Sequence, residues 1–448
     1  MLFLLALTIG TAVAEGVQSG GTVSATARVG ISGCTDDPAA CRWLSFQDAA
    51  VFSPWVIAKP DSRVQAKAQV DFRLHGPTSA SSAEDAQTTD LLQPWSLRVK
   101  DAWLAAQTDH LDLSMGAQRV AWGVANGISV VDNVYPLDLE NPTKFDRRLS
   151  TLSAVTTAHS GNLSLAMIAV PFFVPAALPQ IDVSLLEGAS DVFSEDGLTI
   201  GSVQTNAQVP VDTLSQTAVA AQLRWTPPAV DLALSWYHGT DSLPQVDGNV
   251  LLIGYQSDSE KVDVGVPLTY PRVDIGGLTA RGALPGDLTG WVEAAVVLPE
   301  RTEAEPSRAQ LQSLVQLGTI DEIPDPAPRI ITQDGDPYAR WIVGLERGFG
   351  PARITVQWLH GFLTERRARD LRDYGLISLQ LGLSDTVRLT QDGASDLDGW
   401  LSDTTMSWLH ADALELSAGA TIVGGPEHSA FGGLKMASGA RIQAKMVY

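Results

Sequence analysis

The stretch from Arg63 to His75 alternates without interruption between polar and apolar side chains. Polar or charged residues occupy the odd-numbered positions and apolar residues the even-numbered ones. Successive side chains of a β-strand point to opposite faces, whereas a helix would scatter both sets around its circumference. The pattern therefore predicts a strand with one apolar face and one polar face.

Similar segments recur along the chain and are joined in pairs by short turns rich in Gly, Pro, Asp or Asn, which is typical of β-hairpins. Together with single strands at both ends, they predict about eighteen strands. The predicted strands are Thr22–Ser32, Phe46–Ala58, Arg63–His75, Trp95–Thr108, Leu111–Trp122, Ser150–His159, Leu163–Val170, Thr217–Thr226, Val230–His238, Arg272–Ala283, Leu288–Leu298, Tyr338–Arg347, Arg353–Phe362, Tyr374–Leu383, Thr386–Gln391, Trp400–His410, Leu414–Val423 and Ala440–Tyr448.

The connections between hairpins are much longer, at 123–147, 172–216, 239–271 and 299–337. Short turns at one rim and long loops at the other are typical of outer-membrane barrels. Beyond the N-terminus, no stretch approaches the roughly 18 to 20 apolar residues that a membrane helix needs. We therefore predict an all-β, transmembrane antiparallel β-barrel with short periplasmic turns, long extracellular loops and both termini in the periplasm.

The first fourteen residues, MLFLLALTIGTAVA, are expected to be a signal peptide, with Ala12-Val13-Ala14 as the cleavage pattern. The usual Lys or Arg before the apolar run is missing, which leaves open whether the leader is complete. The alternative is a short buried apolar strand. Residues 15–448 are then a single barrel domain. In an exported chain, Cys34 and Cys41 are expected to form a disulfide, the alternative being two free thiols in a reducing compartment.

The polar faces of the predicted strands give the candidate lumen residues. A charge facing hydrocarbon at the membrane midplane costs about 2–4 kcal/mol, so these side chains are expected to point inward. The candidates are Arg63, Lys67, Asp71, Arg73, Arg224, Asp231, Glu293, Arg340, Glu346, Arg353, Gln357, Arg441 and Lys445.

Tryptophans near the predicted strand ends are expected to form an interfacial girdle, the alternative being core tryptophans of a soluble β protein. They are Trp95, Trp122, Trp225, Trp236, Trp400 and Trp408.

The net charge of −21 makes nucleic acid an unexpected partner, because phosphate backbones would be repelled. The sequence contains none of the common hydrolase, metalloprotease or phosphate-binding motifs, so we predict no enzymatic activity, no metal site and no cofactor. A rim hydrolase built on His159 and Ser160 is the alternative, and it would need a third orienting group.

Five strings carry a family resemblance, and the most specific is GAQRVAWGVANGISVVDNVYPLDLENP (Gly116–Pro142). The others are Phe172–Pro179, Tyr270–Leu278, Tyr338–Phe349 and Ile354–Phe362. They resemble a family of porin-like outer-membrane barrels of uncharacterised function, related in layout to alginate-export barrels. The resemblance implies a monomeric barrel that transfers an unidentified solute. Alginate-export barrels have an Arg- and Lys-rich lumen, and the mixed lumen predicted here argues against a polyuronate substrate.

We therefore predict a channel or facilitator in the bacterial outer membrane that passes small hydrophilic solutes, with acidic loops favouring cationic or neutral ones. The alternative is a plugged barrel acting as a surface receptor, structural protein or export-assembly component. The expected partners are outer-membrane lipid, lipopolysaccharide, the solutes, and the barrel-assembly machinery, which would bind the C-terminal strand.

Overall fold

The computed structural model describes residues 16–30, 49–74, 95–141, 143–145, 147–178, 199–208, 210, 216–246, 251–256, 261–304, 308, 311–312, 315, 322–325, 330–333, 335–426 and 428–448. The predicted signal peptide at 1–14 and the predicted disulfide between Cys34 and Cys41 lie outside these residues.

Eighteen antiparallel strands form one closed sheet. Each strand pairs with the next strand of the ring, and the last pairs with the first through a register running from Thr22↔Val447 to Gly30↔Gly439. The strands are β1 Val17–Gly30, β2 Ala50–Ala58, β3 Val64–Leu74, β4 Trp95–Gln107, β5 Leu111–Gln118, β6 Thr151–Ser160, β7 Leu163–Val170, β8 Ala218–Trp225, β9 Val230–Thr240, β10 Arg272–Leu284, β11 Leu288–Pro299, β12 Tyr338–Phe349, β13 Ala352–His360, β14 Asp373–Gly382, β15 Val387–Ser395, β16 Trp400–Ala411, β17 Leu414–Gly424 and β18 Gly439–Val447.

The two rims of the barrel differ in the length of their connections. One rim carries short turns, such as Gly350-Pro351 between β12 and β13, where Gly350 has a φ of 59°. Both ends of the described chain lie at this rim, because Val17 pairs with Ala58 beside the first short turn and Val447 pairs with Thr22. The other rim carries the longer loops. The predicted barrel and the sorting of its connections are confirmed.

Strand β11 shows how the two faces of the wall differ. Val296 and Leu298 are 49% and 48% exposed, whereas Ala295 and Val297, which alternate with them, are each 1% exposed. The exposed side chains form part of an apolar outer surface that continues around the ring. Such a continuous apolar surface belongs against lipid rather than water.

Five of the six tryptophans of the predicted girdle have exposed side chains: Trp95, Trp225, Trp400 and Trp408 near strand ends, and Trp236 inside β9. Trp122 is an error. Strand β5 ends at Gln118 rather than at Trp122, and the chain then leaves the wall. Trp122 is only 5% exposed because it packs in the interior core.

Parts of the long loops have sheet structure of their own. Thr199–Gln208, Gln245–Val246, Leu251–Gln256 and Lys261–Thr269 form a small sheet, and Thr302–Ala304 pairs with Ile330–Gln333. Within the described residues, no helix has the length and apolar character needed to cross a membrane.

Candidate functional site

The chain between β5 and β6, Arg119–Ser150, folds into the barrel; we call it the inserted segment. Its apolar side chains are almost completely buried, with Val130 at 0% and Ile128 and Tyr135 at 1% exposure. They pack in one core with inward-facing residues of several strands, including Ile168, Ile342 and other wall residues. A ring of eighteen strands is too wide to be filled by its own wall side chains, and the inserted segment occupies part of that space.

Glu293 on β11 anchors the first half of the inserted segment. Its side chain is 0% exposed. One carboxylate oxygen accepts hydrogen bonds from the backbone N–H groups of Val124 (2.5 Å) and Ala125 (2.7 Å). The other accepts from Ser129 Oγ (2.8 Å) and the Val130 N–H (3.0 Å). A turn of the segment is therefore closed around one wall carboxylate.

Gln357 on β13 forms a second anchor beside Glu293. Its amide nitrogen donates to the Asn126 carbonyl at 2.7 Å, and its amide oxygen accepts from the Asn126 N–H at 3.1 Å. The same oxygen accepts from Trp291 Nε1 at 3.1 Å. Along the ring, β11 and β13 are six and eight strands away from β5. The inserted segment therefore crosses the lumen to the opposite wall.

The second half of the inserted segment returns to β3 and β4 through ion pairs. Glu140 contacts Arg73 and Arg98, each at 2.7 Å, and Asp138 contacts Arg98 at 3.2 Å. Burial acts to raise the pKa of Glu140, but its hydrogen bonds and charge interactions with Arg73 and Arg98 outweigh burial, so the pKa lies below its ordinary value. Glu140 is therefore held as a carboxylate.

A third group of charges lies where the inserted segment faces β16 and β18. Asp403 binds Arg441 through two hydrogen bonds of 2.6 and 2.9 Å and accepts a third from Thr421 at 2.7 Å. Lys144 of the inserted segment approaches Asp403 at 3.7 Å, with 44% of its side chain exposed. Lys144 is thus a partly exposed cation beside the buried carboxylate of Asp403.

The predicted lumen residues occupy three kinds of position, and their role in lining a solute path stays a prediction. Arg73, Glu293, Arg340 and Gln357 are buried against the inserted segment. Others contact neighbours on the wall: Lys67 with Asp101, Asp71 with Ser53, Arg224 with Asp231, Glu346 with Arg353, and Arg441 with Asp403. Arg63, in the turn before β3, and Lys445, on β18, are exposed.

Sequence reasoning missed the partners of these residues. The inserted segment supplies Ser129, Asn133, Asp138, Glu140 and Lys144, all of which contact wall residues. The available signal was the apolar run from Ile128 to Leu137, which is unusual for a solvated loop. That run lies inside the string Gly116–Pro142, which carries the family resemblance.

A cavity of about 770 Å³ lies at the long-loop rim. It is bordered by Phe145 of the inserted segment and by Arg367, Arg369 and Arg372, which belong to the basic stretch between β13 and β14.

Within the described part of the chain, no group of three His, Cys, Asp or Glu residues could hold a metal ion. His159 contacts Asp112 at 2.9 Å at the short-turn rim, and both side chains are partly exposed.

The closed ring, its apolar outer surface and its loop-filled interior, which holds an apolar core and several ion pairs, define the class of protein: an integral β-barrel of the bacterial outer membrane.

Among solved structures, the chain is similar to two proteins of Acinetobacter baumannii. OccAB2 is 8% identical, over 98% of this chain and 99% of that one, with a TM-score of 0.48. OccAB4 is 9% identical, over 96% and 98%, also at 0.48. Salmonella typhi OmpF, solved in complex with daunomycin, is 8% identical, over 96% and 97%, at 0.41. No protein-family model and no curated protein matches the chain. These similarities carry no argument about function and give no support to the predicted relation to alginate-export barrels.

Proposed function

We propose that the protein is a porin-like channel for small hydrophilic solutes and that the inserted segment sets its narrowest point. The observation that carries the proposal is the crossing of the lumen by a segment anchored to the opposite wall at Glu293 and Gln357. A segment fixed in this way narrows a wide barrel to a defined opening, because its anchors are buried and the Glu293 carboxylate alone accepts four hydrogen bonds from it.

Charged side chains that are neither buried nor fully exposed support a water-accessible interior. Lys67 and Asp101 form a 2.6 Å ion pair with side-chain exposures of 25% and 20%, and Arg98 retains 29%. Both signs of charge are present on this side of the interior. Such an arrangement creates a field across the opening and favours hydrophilic solutes over apolar ones.

Swelling of proteoliposomes in solutions of small sugars and amino acids tests this proposal. The purified chain is expected to admit the smallest solutes fastest and to discriminate strongly by size. Lys144→Trp places a bulky side chain at the accessible part of the inserted segment and is expected to slow uptake. Lys59→Trp, in the exposed turn between β2 and β3, is the matched control and is expected to leave uptake unchanged. Uptake no faster than in empty liposomes would remove the proposal and favour a plugged barrel.

A further inference from the structure

A small cavity of about 20 Å³ lies where the inserted segment meets β12 and two long loops. Its charged lining consists of Arg148, Arg340, Arg366 and Asp241. A cavity of about 10–15 Å³ is sufficient for one water molecule, so this one has room for a single particle of that size.

Arg340 is the least compensated of these charges. Its side chain is 2% exposed, and its Nη2 atom donates a 3.3 Å hydrogen bond to Asn133 Oδ1. Its Nε atom has no partner, and within the described residues no carboxylate forms an ion pair with it. The ring of Tyr338 lies 5.8 Å from the guanidinium carbon. A buried cation without an anion is costly, so the site favours an added negative charge.

The neighbouring charges supply that negative charge only in part, because the nearby carboxylate of Asp241 is bound to another arginine. Asp241, the one carboxylate in the lining, contacts Arg366 at 2.5 Å and accepts a hydrogen bond from the Leu243 N–H at 3.0 Å. Arg148 donates to the Tyr135 carbonyl at 3.2 Å. Three guanidinium groups therefore border the cavity together with a single carboxylate that is already engaged.

We propose that this cavity binds one small inorganic anion, such as chloride, through Arg340. The size of the cavity admits a monatomic anion and excludes an organic one. A water molecule would fit equally well but would not offset the charge, because it is neutral.

The anion site lies where four parts of the fold meet, so a bound anion would connect them. Its lining includes Asn133 and Leu137 of the inserted segment, Arg340 of β12, and Ser242 and Leu363 of two long loops. An anion bound there joins all four parts of the fold. Because a ligand that binds only the folded state stabilises it by mass action, chloride would stabilise the seated inserted segment.

Thermal unfolding of the detergent-purified chain in sodium chloride and in sodium gluconate, at equal ionic strength, tests the proposal. Gluconate is too large for the cavity. The unfolding midpoint is expected to rise with chloride concentration and then level off, and to stay flat in gluconate. Arg340→Gln is expected to abolish the chloride dependence. Arg353→Gln, the same change on β13 at a side chain that is 59% exposed, is the matched control and is expected to retain it.

Equal wild-type midpoints in the two salts, or an Arg340→Gln variant that keeps the chloride dependence, would overturn the proposal. If Arg340→Gln does not fold, bromide-soaked crystals of the wild-type chain decide the question. An anomalous peak beside the Arg340 guanidinium supports the site, and a map without that peak overturns it. Both measurements are independent of solute uptake, so a failure of the channel proposal leaves this one standing.

Discussion

Glu293 is a wall residue whose side chain is committed entirely to the inserted segment. Its two carboxylate oxygens accept four hydrogen bonds from residues 124–130 and no solvent reaches them. Hydrogen bonds to a charged group contribute more than neutral ones, and donors left without an acceptor in a buried place carry a desolvation cost. This one side chain therefore determines how firmly the first half of the segment is held.

Replacing the carboxylate with an amide tests that role. Glu293→Gln keeps the shape of the side chain but replaces one acceptor oxygen with an NH2 group, a donor that faces other donors. The expected loss in local stability is about 1.5–3 kcal/mol. Amide hydrogen exchange at residues 123–130 is expected to become roughly tenfold to hundredfold faster. Glu346→Gln, which alters contacts with Thr355 and Arg353 only, is the control. Exchange equally slow in both variants would show that Glu293 does not hold the segment.

The sequence predicted that the Glu293 side chain points into the barrel but did not predict which residues it binds. Alternation along β11 places the residue on the inner face, as it does for Gln357 on β13. The bonded partners lie more than 160 residues away for Glu293 and 231 away for Gln357. A two-residue period reports which side of a sheet a residue occupies and contains no information on which distant loop meets it.

At the scale of elements, the inserted segment is held at its far end by buried hydrogen bonds to Glu293 and Gln357 and at its near end by ion pairs. The ion pairs of Glu140 with Arg73 and Arg98 make the near end sensitive to pH. Burial opposes the charged form of Glu140, but the two arginines outweigh it and lower its pKa. The carboxylate therefore stabilises the fold above its ordinary pKa of 4.5, and that stabilisation is lost as the pH falls through the lower folded-state value.

Comparing the wild type with Glu140→Gln over a range of pH tests this dependence. The wild type is expected to be the more stable chain at neutral pH, because the variant leaves Arg73 and Arg98 without this carboxylate. The difference in unfolding midpoint is expected to shrink as the pH falls below 4.5 and Glu140 becomes protonated. A difference that stays constant down to the lowest accessible pH would contradict the ion-pair account.

The strands were predictable and the inserted segment was not. All eighteen predicted strands are present, because each presents one face to lipid and one to the interior, and this leaves a period of two in the sequence. Leu111–Trp122 was predicted four residues too long, since Val120, Ala121 and Trp122 are apolar although the chain has left the wall after Gln118. The inserted segment packs its apolar side chains against several strands at once and not along a single face, so its sequence has no such period.

At the scale of the whole molecule, closure of the ring depends on the pairing of β1 with β18. These strands share a register of nine residue pairs, from Thr22↔Val447 to Gly30↔Gly439. Without this pairing, the edges of β1 and β18 would each present unpaired backbone groups to lipid, where no water can satisfy them, and removal of β18 would leave the edges of β1 and β17 in that state.

Deleting residues 439–448 tests the closure. The complete barrel is expected to resist detergent and to migrate faster in gel electrophoresis before boiling than after it. The truncated chain is expected to lose this difference and to aggregate, because both exposed edges pair with other chains. A truncated chain that keeps the mobility shift would show that the ring does not depend on this seam.

The single-channel conductance of the wild-type chain in a planar bilayer, measured with added polyethylene glycols of graded size, tests the central claim most directly. A barrel narrowed by the inserted segment is expected to give discrete conductance steps from which all but the smallest polymers are excluded. A silent bilayer, or steps that large polymers reduce as they would in an unobstructed ring of eighteen strands, would contradict the account.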